Sequence, residues 1–112
     1  MADEDLELSR LEQFRQIVDM DPDDYFSHFG YASELVEACR YREAVHEFRE
    51  AIRLKPDYSA AIRDLGRALE KCGADDEAMQ TYREGIPIAE RNGDLQTAKE
   101  MQVFLRRLEQ LP

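Results

Sequence analysis

Apolar residues recur three and four positions apart along the chain, as in Tyr31, Leu35 and Ala38 or in Ile62, Leu65 and Leu69. An α-helix turns once in about 3.6 residues, so each set falls on one helix face. Strand-like alternation is absent, and the pattern predicts an all-α chain. Asp23, Asp24 and Asp57, the last just before Ser59, mark helix starts that a carboxylate can cap. Pro22 and Pro56 discourage the preceding helices from continuing. Shorter breaks fall at 39–41 and at 72–74, where Gly73 suits a tight turn.

The chain matches itself at an offset of 34 residues. Glu43-Ala44, Phe48-Arg49-Glu50 and Ile52 fall on Glu77-Ala78, Tyr82-Arg83-Glu84 and Ile86. The same offset places Ala32 on Gly66 and Leu35 on Leu69, and run backward it puts Phe14-Arg15 under Phe48-Arg49 and Pro22 under Pro56. Each period reads as helix, tight turn, helix, turn. A repeated helix pair cannot bury its apolar face alone, so stacking of successive pairs must do so.

Paired helices with this period resemble the tetratricopeptide repeat. In the unit 25–58 the matching residues are Ala32, Leu35, Tyr41, Ala44, Phe48, Ala51 and Pro56; in the unit 59–92 they are Leu65, Gly66, Leu69, Gly73, Ala78 and Tyr82. Residues 6–22, with Phe14, Ile17 and Pro22, look like the second helix of a truncated unit. The resemblance implies a helical-repeat superhelix of antiparallel pairs, about six helices in a single domain over residues 1–112. Small residues at 32, 44, 66 and 78 then let backbones approach, while Phe48 and Tyr82 fill the seams between units.

Five departures from the family pattern carry expectations. His28 stands where a bulky apolar residue is usual and reads as a core histidine with one partner. Asp75 replaces a turn aromatic and Gly85 an alanine, which predicts looser packing of the second unit. Pro87 falls inside a helix, where it removes a hydrogen bond and should bend an element ending at Asn92-Gly93. Beyond Gly93 the strict register would bury Gln96, Lys99 and Glu100; a slip of two residues buries Ala98, Met101 and Leu105 instead, with Leu95 and Leu108 at the ends. This predicts a closing helix over 94–111, N-capped by Asp94, with Val103, Phe104 and Leu111 left for a partner, for a second copy or for partial burial.

Charge narrows the choice of partner. With 25 acidic against 15 basic residues the net charge is −10, which disfavours nucleic-acid backbones and anionic membranes. No apolar run reaches the roughly 18 residues of a membrane span, and the first eight residues are acidic where a secretory leader would be basic. Cys39 and Cys72 form neither a metal spacing nor a disulfide framework, which suits a reducing, cytoplasmic setting. Twelve Arg against three Lys in an acidic excess fits salt adaptation and equally fits coding bias.

The residues offer no catalytic, cofactor or metal constellation. His28 and His46 share no ligand spacing, and no phosphate loop or nucleophile elbow occurs. Glu43, Glu47 and Glu50 lie among Arg42, Arg49 and Arg53 as on a solvated helix face, and Asp21, Asp23 and Asp24 read as helix-end residues before a cation cluster. The family's inner surface is lined by the first helix of each pair, and by position the resemblance points to Phe26, Phe29, Ser33, Arg63, Arg67 and Glu70 as a peptide site. Arg63 and Arg67, one turn apart, could hold a carboxylate beside an aromatic wall, or Arg63 could pair locally with Asp64, Glu34, Glu37 or Glu70. Members serving heat-shock chaperones clamp a terminal carboxylate with Lys and Asn; Phe29, Ser33 and Asp64 occupy those places here, so that clamp is not intact.

The reading that follows is a noncatalytic adaptor, monomeric or weakly self-associating, that binds a protein or peptide. The alternative is a self-assembly module using Val103, Phe104, Leu108 and Leu111 or the lone N-terminal helix; an enzyme with an unrecognised site is a remote third.

Overall fold

The computed structural model describes residues 2–112, and its described residues form six helices and no strand. They are α1 (Ala2–Met20), α2 (Tyr25–Glu37), α3 (Tyr41–Leu54), α4 (Ser59–Lys71), α5 (Asp75–Arg91) and α6 (Leu95–Glu109). Starts of α2 and α4, at Tyr25 and Ser59, lie 34 residues apart, and so do those of α3 and α5, at Tyr41 and Asp75. Each helix packs on the next, and α4 also touches α6. The radius of gyration is 14.7 Å with extents of 43 × 31 × 20 Å. A compact chain of this length would have about 13 Å, so the molecule is drawn out along its stack.

Three helices end in the same backbone device. The N–H of Gly73 bonds to the Glu70 carbonyl and that of Ala74 to Leu69, at 3.0 and 2.9 Å; Gly93 and Asp94 do the same to Glu90 and Ala89, at 3.1 and 2.9 Å. This Schellman closure needs a left-handed residue, supplied by Gly73 (φ 77°) and Gly93 (φ 75°). At the end of α2 the left-handed residue is Cys39 (φ 59°), with equivalent bonds from Cys39 to Val36 and from Arg40 to Leu35. The α1–α2 and α3–α4 turns instead contain Pro22 and Pro56.

Asp24 caps α2 as its position predicts, accepting from the Phe26 N–H at 3.1 Å. Asp57 does not cap α4: the N-cap is Tyr58, and no side chain bonds to the helix start. There the neighbouring turns clasp each other. The Ser59 hydroxyl donates to Asp94 at 2.7 Å and the Asn92 amide to the Asp57 carbonyl at 2.7 Å. Asp94 holds the N-cap position of α6, but its carboxylate accepts from Ser59 and makes no cap bond to the helix start.

Phe48 and Tyr82 are sealed in the seams, at 1% and 0% exposure. The slipped register of α6 buries Ala98, Met101 and Leu108 and half-buries Leu105. Leu95 departs from expectation and is 58% exposed at the start of α6, where Thr97 and Ala98 take the buried positions of the first turn. Helix α5 passes through the exposed Pro87 and ends at Arg91, three residues beyond the 34-residue echo of α3, which accounts for the slip.

Gly85 also corrects the sequence reading. A Cβ there would lie 2.5 Å from Ile62 Cγ2 and 2.8 Å from Met101 Sδ, so its missing methyl is replaced by neighbours from α4 and α6. The contact is closer than an alanine permits, the opposite of loose packing.

Candidate functional site

Helices α2 and α4 meet hardly at all, and a groove of about 340 Å³ opens between them. Ser33, Val36 and Glu37 of α2 form one wall; Asp64, Arg67, Ala68 and Lys71 of α4 form the other; Tyr41 and Phe48 of α3 complete the lining. Spacing explains the membership. Residues at i, i+3, i+4 and i+7 share a helix face, and 64, 67, 68 and 71 are such a stripe.

Of the six residues predicted for the site, the groove brings together Ser33 and Arg67. Ser33 donates its hydroxyl to the Phe29 carbonyl at 3.0 Å, and Arg67 lies over the Phe104 ring, 4.2 Å from its centroid, with Glu70 at 3.8 Å. Phe26 is outside the lining and 65% exposed at the start of α2. Phe29 is half-buried as a packing residue, its ring centroid 5.8 Å from Phe48 and 5.0 Å from Tyr58. Glu70 accepts the hydroxyl of the buried Tyr82. Burial, then this bond, push the Tyr82 phenol far above its ordinary range.

Arg63 is engaged by Asp64 at 3.0 Å and by Glu100 of α6 at 3.3 Å. Burial works against its charge, but the Asp64 bond and the two carboxylates outweigh it and hold the guanidinium above its usual value. For Asp64 burial prevails and raises the carboxyl, with Arg63 offsetting part of the shift. The expected Arg63–Arg67 pair is therefore not one positive spot, since both side chains have acidic neighbours. Within the lining, Arg67 and Lys71 stand one turn apart on α4, and Glu37 faces them from α2.

Sequence reasoning missed Val36, Glu37, Tyr41, Phe48, Asp64, Ala68 and Lys71 as lining residues. The signal was present in the stripe through Arg67, had it been continued to 68 and 71 in place of 63 and 70. Among the described residues, no group of three His, Cys, Asp or Glu side chains is placed to hold a metal ion. None of the described helices is long and apolar enough to cross a membrane. Of the residues considered for self-assembly, Leu108 is buried and Phe104 is half-buried beneath Arg67, its centroid 5.8 Å from that of Tyr82; Val103 and Leu111 are exposed.

Stacked pairs at a 34-residue interval, glycines where neighbouring side chains press against a helix, and an open groove between first helices define a helical-repeat scaffold. The tetratricopeptide repeat family model matches residues 35–101, and the chain belongs to that family. TPR repeat-containing protein PA0015 of Pseudomonas aeruginosa is 32% identical over 87 residues, covering 78% of this chain and 83% of that protein. Protein BPP2914 of Bordetella parapertussis superposes with a TM-score of 0.77 at 31% identity, covering 88% and 86% of the two chains. The TPR2B domain of yeast Sti1, solved in a pHsp70 complex, superposes at 0.85 over 96% of this chain and 86% of its own, with 15% identity, a likeness of fold. Of several longer curated relatives the chain spans less than a fifth. Tetratricopeptide domains mediate protein–protein interaction.

Proposed function

We propose that the chain is a noncatalytic adaptor that takes an extended peptide segment into the groove between α2 and α4. The observation that carries this reading is the groove itself: an apolar lining of Val36, Ala68, Tyr41 and Phe48, with Arg67 and Lys71 one turn apart on α4 and the acids Asp64 and Glu37 also in the lining. Such a lining suits a hydrophobic side chain followed by a carboxylate, held by two cations while Glu37 disfavours a second acid. At about 340 Å³ the space takes one or two side chains, so a single segment binds with moderate affinity. The complex of yeast Sti1 supports the use of this fold for holding a polypeptide. Phe29, Ser33 and Asp64 stand where the resemblance puts the Lys and Asn of the chaperone-type carboxylate clamp, and argue against that clamp in this chain. The protein works as a monomer in this reading, and its two free thiols suit the cytoplasm.

The test is a peptide-array screen followed by titration of the best binder. Arg67→Glu with Lys71→Glu should weaken binding tenfold or more, about 1.4 kcal/mol, while Arg49→Glu, whose residue pairs with Glu77 outside the groove lining, should leave it unchanged. Equal losses in both variants, or none in either, would remove the groove from consideration.

A further inference from the structure

His28 is 5% exposed and belongs to no part of the groove lining. Both of its ring nitrogens have partners, where one was expected. Nδ1 lies 2.7 Å from the Glu47 carboxylate of α3, and Nε2 lies 2.7 Å from the Pro22 carbonyl in the α1–α2 turn. An ionised carboxylate and a peptide carbonyl only accept hydrogen bonds, so satisfying both contacts requires a proton on each nitrogen. The ring is then an imidazolium joining three segments of chain.

We propose that His28 is a proton-operated latch that fastens the α1–α2 turn to α2 and α3 when charged and releases the turn when neutral. The choice of which contact fails follows from bond strength. A bond to a charged carboxylate is stronger than one to a neutral carbonyl, so the neutral ring keeps its proton on Nδ1 for Glu47. Nε2 then presents a lone pair to the Pro22 oxygen at 2.7 Å, and the turn must move away. Helix α1 depends on that turn. It packs on α2 through the buried Val18 and the half-buried Leu11 and Phe14, with Arg10 bonded to Glu34 at 2.7 Å.

The carboxylates around the ring favour the latched state. Glu47 and Glu50 face it from α3 and Asp24 from the N-cap of α2, while α1 and its turn contribute the Pro22 carbonyl; His46 lies beyond Glu47, 3.8 Å from its carboxylate. Burial opposes the charge, but the Glu47 and Pro22 bonds and the two glutamates outweigh it, leaving the ring above its ordinary value. A raised folded-state pKa means that the stabilisation is complete below the unfolded value, about 6.5, and is lost as pH rises through the folded one.

Nitrogen-15 NMR of the ring and hydrogen exchange of α1 across pH 5.5 to 9 test the latch. The expected result is a doubly protonated His28 that titrates above about 6.5 and becomes the Nδ1–H tautomer. In parallel, α1 amide protection should fall about tenfold for each unit by which the latched ring's pKa exceeds that of the released ring. Glu47→Gln should move both events to lower pH, and His28→Phe, which restores an apolar residue, should leave α1 protection without a pH step. A ring titrating at or below the ordinary value, α1 protection indifferent to the ring's titration, or the same step in His28→Phe would overturn the proposal.

Discussion

Gly66 lacks a side chain because Tyr82 occupies the space that one would need. A Cβ on Gly66 would lie 2.2 Å from Tyr82 Cε1 and within 2.8 Å of two further ring carbons. The ring cannot swing out, since it is wholly buried and its hydroxyl is held by Glu70. Replacing a helical glycine with alanine normally gains about 1 kcal/mol in propensity, but overpacking a sealed site costs about 1–3 kcal/mol and sometimes more. Gly66→Ala should therefore lower stability by up to about 2 kcal/mol in a urea melt; a more stable variant would show that the ring has somewhere to go. The same comparison explains why the alanine-to-glycine departure at 85 was misread. Sequence shows that a methyl is missing, whereas only the neighbours show that Ile62 and Met101 fill its place.

At the level of the helix end, one device is built three times, twice from glycine and once from cysteine. Left-handed backbone costs a residue with a Cβ about 1–2 kcal/mol relative to its right-handed form, and Cys39 bears that strain at φ 59° in an exposed position. Cys39→Gly should stabilise the protein by about 0.5–1 kcal/mol after the extra freedom of the unfolded glycine is counted, raising the melting temperature by a few degrees. A lower melting temperature would mean that the cysteine side chain contributes more than its backbone costs. The ends themselves were legible, because Gly73, Gly93, Pro22 and Pro56 act locally. The failed expectation at Asp57 was not local: the helix start it precedes is occupied by a clasp reaching to Asn92 and Asp94, 35 residues on from Asp57 and Ser59 respectively. His28 follows the same rule, since a second partner contributed by a turn leaves no trace in helical spacing.

For the molecule as a whole, stability is carried by seams between neighbours along the stack. Phe48 lies in one such seam, 1% exposed, against Phe29 of α2 and beside the groove that α4 bounds. Phe48→Ala should cost about 3–5 kcal/mol. Hydrogen exchange should show the loss mainly in α2, α3 and α4, with α5 and α6 retaining more protection because Tyr82, Ala98 and Met101 lie further along the stack, on helices that do not pack on α3. A uniform loss across all six helices would indicate one cooperative core in place of nearest-neighbour coupling.

By itself the sequence determined the helical class, the 34-residue interval, the residues that fill the seams and the two-residue slip of α6. These follow from periodicity and from local chemistry, and each helix must bury one stripe whatever it packs against. Tertiary structure alone decided which face of α4 borders the open groove. Successive helical positions are about 100° apart, so a small rotation set by the packing of α4 on α3, α5 and α6 exchanges the wall 63, 67, 70 for 64, 67, 68, 71. The ion pairs of Arg63, the clasp between turns and the two acceptors around His28 were decided the same way, because their partners lie far apart in the chain and meet only when the pairs have stacked.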